Sequence, residues 1–154
     1  MAKKSEAELV SNWRARFDYE ILETFEAGIA LKGAEVKSLR DHGGHLQEAY
    51  VRVIGQELWL IGAHIAPYQH ASFDQPEERR DRKLLMHKRE IVRLKALVQE
   101  KGLTLVPLAL YLKGGRVKVS VGVGRGKKRH DKREAIKSRE EARRIQQAAK
   151  RGEY

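Results

Sequence analysis

Six histidines, His42, His45, His64, His70, His87 and His130, are the side chains in this sequence most suited to holding a transition metal. None stands in an HExxH arrangement, and His42 and His45 bracket two glycines with no carboxylate pair at ligand spacing, so no metal site is expected. The chain has no cysteine, which removes a thiolate zinc site, a cysteine nucleophile and a disulfide framework. Glu23 with Glu26, or Glu77 with Glu78, could form an acid/base couple, but a solvated strand face or loop accounts for them more simply. Gly122, Gly124 and Gly126 superficially resemble a phosphate-cradling loop. No GK[ST] follows them and no β-α-β helix begins there, so a flexible joint is expected. No serine–histidine–acid arrangement is legible. The sequence therefore reads as a protein that is not an enzyme and needs no cofactor.

The basic side chains point elsewhere. Lys and Arg number 32 against 21 acids, a formal net charge of +11, which favours a polyanionic partner. Arg79-Arg-Asp-Arg-Lys83 and Lys88-Arg89 flank Leu84-Leu85, while Arg116 and Lys118 share one face of a strand. Bases so placed could meet backbone phosphates, with Leu85 supporting a base or sugar; a solvated surface fits them equally well. The charge is concentrated at the end. Residues 125–154 hold 12 bases and five acids, net +7, leaving +4 for the preceding 124 residues.

These residues need a scaffold, and one domain is what 154 residues provide. No apolar run approaches the roughly 20 residues that span a bilayer, and no apolar signal region follows the first residues. A cytoplasmic protein without membrane partners is expected. Residues 1–11 read as a flexible leader, 12–123 as the folded body and 124–154 as a tail.

Within the body, Phe17–Glu26 reads as a strand and Gly33–Arg40 as a short helix. Leu46–Ile54 and Glu57–Ile65 form one hairpin signal, followed by a polar loop from Pro67 to Arg82. The spacing of Leu84, Ile91, Leu94, Leu97 and Val98 predicts a helix over Leu84–Lys101, stopped by Gly102. Leu103–Leu112 and Arg116–Val123 form a second hairpin around Gly114-Gly115. This order favours a mainly β fold, a small antiparallel barrel with flanking helices. In the tail, Asp131…Glu134 and Ser138…Glu141 have capping-box spacing, and Ile136, Ala142, Ile145 and Ala149 offer a thin apolar seam. Such a segment is expected to be disordered when free and helical once phosphates neutralise it.

Phe25-Glu-Ala-Gly-Ile-Ala-Leu31, Glu35-Val-Lys-Ser-Leu-Arg40, His64-Ile-Ala-Pro-Tyr68, Arg82-Lys-Leu-Leu85, His87-Lys-Arg-Glu-Ile91 and Gly126-Lys-Lys-Arg-His-Asp-Lys-Arg-Glu134 closely resemble the bacterial small protein B family. The likeness runs collinearly from about Asn12 to the C-terminus. It implies an oligonucleotide-binding (OB)-like barrel, a monomer, that binds the tRNA-like domain of transfer-messenger RNA and delivers it to stalled ribosomes for trans-translation. Elongation factor Tu and alanyl-tRNA synthetase are the pathway partners it implies.

Family RNA-contact positions fall on Glu26, Leu85 and Lys118, with Tyr19 as a stacking platform. Lys127, Lys128, Asp131, Lys132 and Arg133 correspond to the element that engages the ribosomal decoding region. The residues downstream resemble the segment that becomes helical in the empty mRNA channel. Two positions depart from the family pattern: Phe17 stands where a histidine is common, and Trp13 where a basic residue is usual.

Overall fold

The computed structural model describes residues 7–68, 76–127 and 143. Its elements are β1 (Ala7–Ser11), α1 (Trp13–Asp18), β2 (Tyr19–Ile29), α2 (Gly33–Arg40), β3 (Gly44–His45), β4 (Tyr50–Ile54), β5 (Glu57–Ile61), β6 (His64–Ile65), β7 (Arg82–Leu85), α3 (Lys88–Lys101), β8 (Thr104–Lys113) and β9 (Arg116–Gly126). The last two strands begin the sheet because Val117, Val119, Val121 and Val123 all point inward and are buried. Gly114 and Gly115, with φ of 59° and 76°, make the two-residue turn between them, where most side chains would be strained. β9 also pairs along β2, and the sheet continues in the order β1-β8-β9-β2-β7-β5-β4, every pair antiparallel. It curls so that β4 packs against β8 and β1 against β3, enclosing Leu58, Leu60, Leu84, Leu94, Leu110 and the valine stripe. The expected antiparallel barrel is the architecture observed.

Several boundaries differ from the expectation. Residues 7–11 are part of the body, because Leu9 and Val10 bury their side chains as β1 pairs with β8. Phe17 and Asp18 close the short helix α1, so the strand begins at Tyr19. Leu46–Ala49 precede β4, and the following run divides into β5 and β6, the latter pairing with β3.

The largest difference is at Arg82–Leu85, a strand rather than the start of a helix. Arg82 and Leu84 face inward while Lys83 and Leu85 face out, and α3 starts only at Lys88. Leu84 fits a helical stripe and a strand alternation equally well, and an inward arginine is not something hydrophobic periodicity detects.

The expected joint at residues 122–126 is instead the end of β9, running beyond Val123. Opposite it, β2 bulges at Leu22, between the paired residues Ile21 and Glu23. The strands come so close there that a Cβ at Gly124 would lie 2.2 Å from the carbonyl oxygen of Glu20. Glycine serves strand approach, not flexibility.

A buried ion pair fixes β7 against α2. Glu35 and Arg82 are 2% and 0% exposed. Arg82 Nε donates to Glu35 Oε2 at 2.7 Å, and its other nitrogens donate to the carbonyls of Ala63, Arg80 and Glu78. Arg80 and the Lys32 backbone N–H also donate to Glu35. Burial pushes the Glu35 carboxyl up, but these donors outweigh it and hold the group below the usual carboxylate range. The EVKSLR and RKLL segments, 47 residues apart at this contact, are thus two halves of one bond network.

Candidate nucleic-acid interface

Strand register alone assembles the outward face. Leu85 of β7 lies opposite Gly28 of β2, Gly28 opposite Lys118 of β9, and Lys118 opposite Tyr111 of β8. Glu26, two residues before Gly28, is on the same face and pairs with Ser120. Leu85 is 53% exposed, unusual for a leucine flanked by strands on both sides. Because Gly28 has no side chain, a groove of about 410 Å³ opens between Leu85, Arg116 and Lys118. An adjoining groove runs from Glu26 past Leu85 to Met86, His87 and Glu90. An apolar platform bordered by cations on a concave surface can take a base or sugar with its phosphate.

Glu26 brings a negative charge into this basic surface. The Tyr111 hydroxyl donates to its Oε2 at 2.5 Å, and Lys113 Nζ donates to the same oxygen at 3.2 Å. The Tyr111 hydrogen bond, with the Lys113 and Lys118 charges, holds the Glu26 carboxyl below its ordinary value. The charged form is therefore the one favoured in the fold. Its ion pairing is complete above the ordinary carboxylate range and is lost only as pH falls through the lowered value. Carboxyl-resolved NMR is expected to show Glu26 titrating below the ordinary carboxylate value, with Tyr111→Phe moving it upward.

The structure brings Glu26, Leu85 and Lys118 together but not Tyr19. Tyr19 lies opposite Gly126 at the other end of β2, nine residues from Gly28, so up to ~30 Å away at strand rise. There it packs with Ile21 against Ala15, Val106 and Leu108, a second small cluster beneath α1. Lys127 is beside that cluster, its backbone N–H donating to the Asp18 carbonyl at 2.8 Å. Lys128, Asp131, Lys132 and Arg133 lie outside the described residues.

The fold divides the basic run at 79–83. Arg79 donates to the Gly62 carbonyl, Arg80 and Arg82 bind Glu35, and Lys83 pairs with Glu57 at 2.6 Å. Arg80 and Arg82 build the body behind Leu85, while Arg79 and Lys83 stay exposed, Lys83 on the same outward face as Leu85. Among the histidines, His45 and His64 stack with ring centroids 4.6 Å apart, and His64 Nε2 is 2.8 Å from Glu78 Oε2. Among the described residues no group of three or more His, Cys, Asp or Glu could hold a metal ion. Nor, among them, is any helix long and apolar enough to cross a membrane.

Tyr111, Lys113 and Gly28 were missed in the sequence. Register from the Gly114-Gly115 turn places Tyr111 beside Lys118 and Lys113 beside Arg116, so the β8 residues had a readable signal. The pairing of β9 with β2, which brings in Glu26 and Gly28, had none.

An antiparallel OB-like barrel with a cationic groove around an exposed leucine defines a β-barrel binding protein of the oligonucleotide-binding class. Comparison with known proteins narrows this. A family model described as SmpB protein matches residues 9–151. The SsrA-binding protein of Protochlamydia amoebophila is 59% identical over 152 residues, covering 99% of each chain. That of Trichormus variabilis is 53% identical, covering 97% of this chain and 99% of its own. A chain of the solved structure described as "tmRNA-SmpB: a journey to the center of the bacterial ribosome" is 49% identical with a TM-score of 0.66, covering 86% of this chain and 94% of that one. The chain belongs to the SmpB protein family.

Proposed function

We propose that this chain binds the tRNA-like domain of transfer-messenger RNA and delivers it to stalled ribosomes, where the nascent chain is tagged and the ribosome freed. The observation that carries this reading is the row Leu85–Gly28–Lys118, with ionised Glu26 beside it, on the outward face of three adjacent strands. Relatives named for binding SsrA, and a structural neighbour named for its complex with tmRNA, support it. Leu85 would carry a base or sugar edge in the groove that Gly28 leaves open. Lys118 and Arg116 would meet phosphates, which fixes register without reading sequence. An irregular RNA fold offers unstacked bases to such a face, whereas a regular duplex offers only its shallow groove and backbone. Tyr19, at the other end of β2, would serve as a stacking platform for a separate RNA segment.

The tail would serve the second RNA. Lys127, Lys128 and the Asp131-Lys132-Arg133 segment would engage the decoding region, and the residues beyond would occupy the mRNA channel only when it is empty. A codon strand and a basic helix cannot share one groove. The body would then stand in for a missing anticodon arm, acting in the cytoplasm alongside elongation factor Tu and alanyl-tRNA synthetase, as an adaptor and not an enzyme. Affinity for a tRNA-like domain is expected to exceed that for a plain RNA duplex of equal length by at least about tenfold at matched salt, the order of one well-placed base contact. Equal affinities would replace this reading with a general or structural ribosomal RNA-binding protein.

A further inference from the structure

We infer that Tyr111 and Lys113 are positioning residues that hold the Glu26 carboxylate as a fixed hydrogen-bond acceptor for the RNA, so that this point of the interface takes a base amine or a 2′-hydroxyl and turns phosphate away. The inference rests on the RNA-binding reading of this face and specifies what one corner of it recognises.

Glu26 is exposed and extends from a strand whose outward neighbours are Gly28 and Lys118. A lone glutamate there would rotate freely and weaken any polyanion's approach. Instead Tyr111 and Lys113, two residues apart on the outward face of β8, both reach the same oxygen, Oε2. They come to Glu26 across β9, where Ser120 is the residue paired with it. Ser120 is small enough to let the Tyr111 hydroxyl pass to the carboxylate. The nearer approach to Oε1 is Lys113 at 3.5 Å, a long contact, which leaves that oxygen able to accept again. It borders the groove that contains Leu85, Met86, His87 and Lys118.

An acceptor-only group on a surface built for phosphates discriminates in a specific way. A phosphate oxygen has no proton to give and is repelled. An exocyclic amine or a ribose hydroxyl can donate, and a hydrogen bond to a charged acceptor is among the stronger kinds. Leu85 and Lys118 would hold the nucleotide while Glu26 admits only a donor edge at its side. The face would thereby reject continuous duplex backbone without making base-pair contacts.

The test is a double-mutant cycle on the full chain, using a synthetic tRNA-like domain as probe. Glu26→Ala should weaken binding about tenfold, and Tyr111→Phe about fivefold, the sizes expected for a lost charged hydrogen bond and a loosened one. Tyr111→Phe made in the Glu26→Ala background, where no acceptor is left to position, should cost nothing further, with unchanged thermal midpoints throughout. Lys113→Met should behave as Tyr111→Phe does.

The probe then separates the two donors. One arm replaces unpaired nucleotides by analogues lacking the exocyclic amine, and the other makes the same nucleotides 2′-deoxy. The wild-type protein should lose affinity in one arm, and Glu26→Ala, which has no acceptor, should be indifferent in that same arm. Additive losses for Tyr111→Phe and Glu26→Ala would overturn the positioning role. Equal sensitivity of wild type and Glu26→Ala to both RNA arms would overturn the acceptor role. Either result with wild-type preference for the tRNA-like domain intact would leave the broader RNA-binding reading standing.

Discussion

Removal of residues 131–154 is expected to abolish tagging of stalled chains while changing affinity for the tRNA-like RNA by no more than about threefold. The interface formed by Glu26, Leu85 and Lys118 is made by β2, β7 and β9, all of which end before this cut. The deleted segment holds eight bases and five acids, a net +3, so long-range attraction weakens only modestly at physiological salt, where the Debye length is about 8 Å. Delivery on the ribosome would lose its probe of the empty channel altogether. Fluorescence anisotropy with the RNA domain and a translation reaction stalled without a stop codon read the two effects separately. Loss of RNA binding in the truncated protein would contradict a division of labour between body and tail.

Arg82→Ala is expected to cost about 3–5 kcal/mol of folding stability, the range measured when one partner of a buried ion pair is removed. Arg82 is fully buried, and it donates to Glu35 and to the carbonyls of Ala63, Arg80 and Glu78. Its removal leaves Glu35 buried with Arg80 as its remaining cation and strips those carbonyls of a donor. Replacing both partners by apolar residues, Glu35→Leu with Arg82→Met, should recover only part of the loss: the buried carboxylate is gone, but Arg80 loses its acid and the three carbonyls still lack a donor. Urea unfolding of the three variants gives the numbers. RNA affinity should follow, since Leu85 is three residues further along the strand that Arg82 anchors. A loss below about 1 kcal/mol for Arg82→Ala would mean that the network is not what holds β7 in place.

The buried pair also marks where the sequence stops being legible. The valine alternation at 117–123 and the Gly114-Gly115 turn specify a hairpin without help from any distant residue, and that hairpin is present. The α3 stripe from Ile91 to Val98 is equally local, and only its first residues were misassigned. Arg82 reads as a surface cation because arginine nearly always is one. Only Glu35, brought beside it by the fold, makes an inward position possible. The same reasoning applies to β1, whose five residues are too few to show a period but suffice to bury Leu9 and Val10.

The candidate interface was legible in part. The outward positions of Lys118 and Arg116 follow from strand alternation, and Leu85 follows from its basic surroundings, although its helix was in fact a strand. Glu26 followed from the family likeness and not from local pattern, since a carboxylate on a strand is ordinary until its neighbours are known. As a glycine inside a strand, Gly28 signals locally no more than a bulge. Its role depends on having Leu85 on one side and Lys118 on the other, each more than 50 residues away in the chain.

The double variant Leu85→Ala/Lys118→Ala shows whether the Leu85–Gly28–Lys118 face is where the body meets its RNA. Both side chains are outward or half-buried, so the thermal midpoint should be nearly unchanged. Affinity for the tRNA-like domain should fall at least about 30-fold, combining a lost base support with a lost phosphate contact. The slope of log affinity against log salt should become shallower by about 0.7, the value for one phosphate contact on unpaired RNA. Wild-type affinity and an unchanged slope in a folded double variant would place the RNA elsewhere on the barrel.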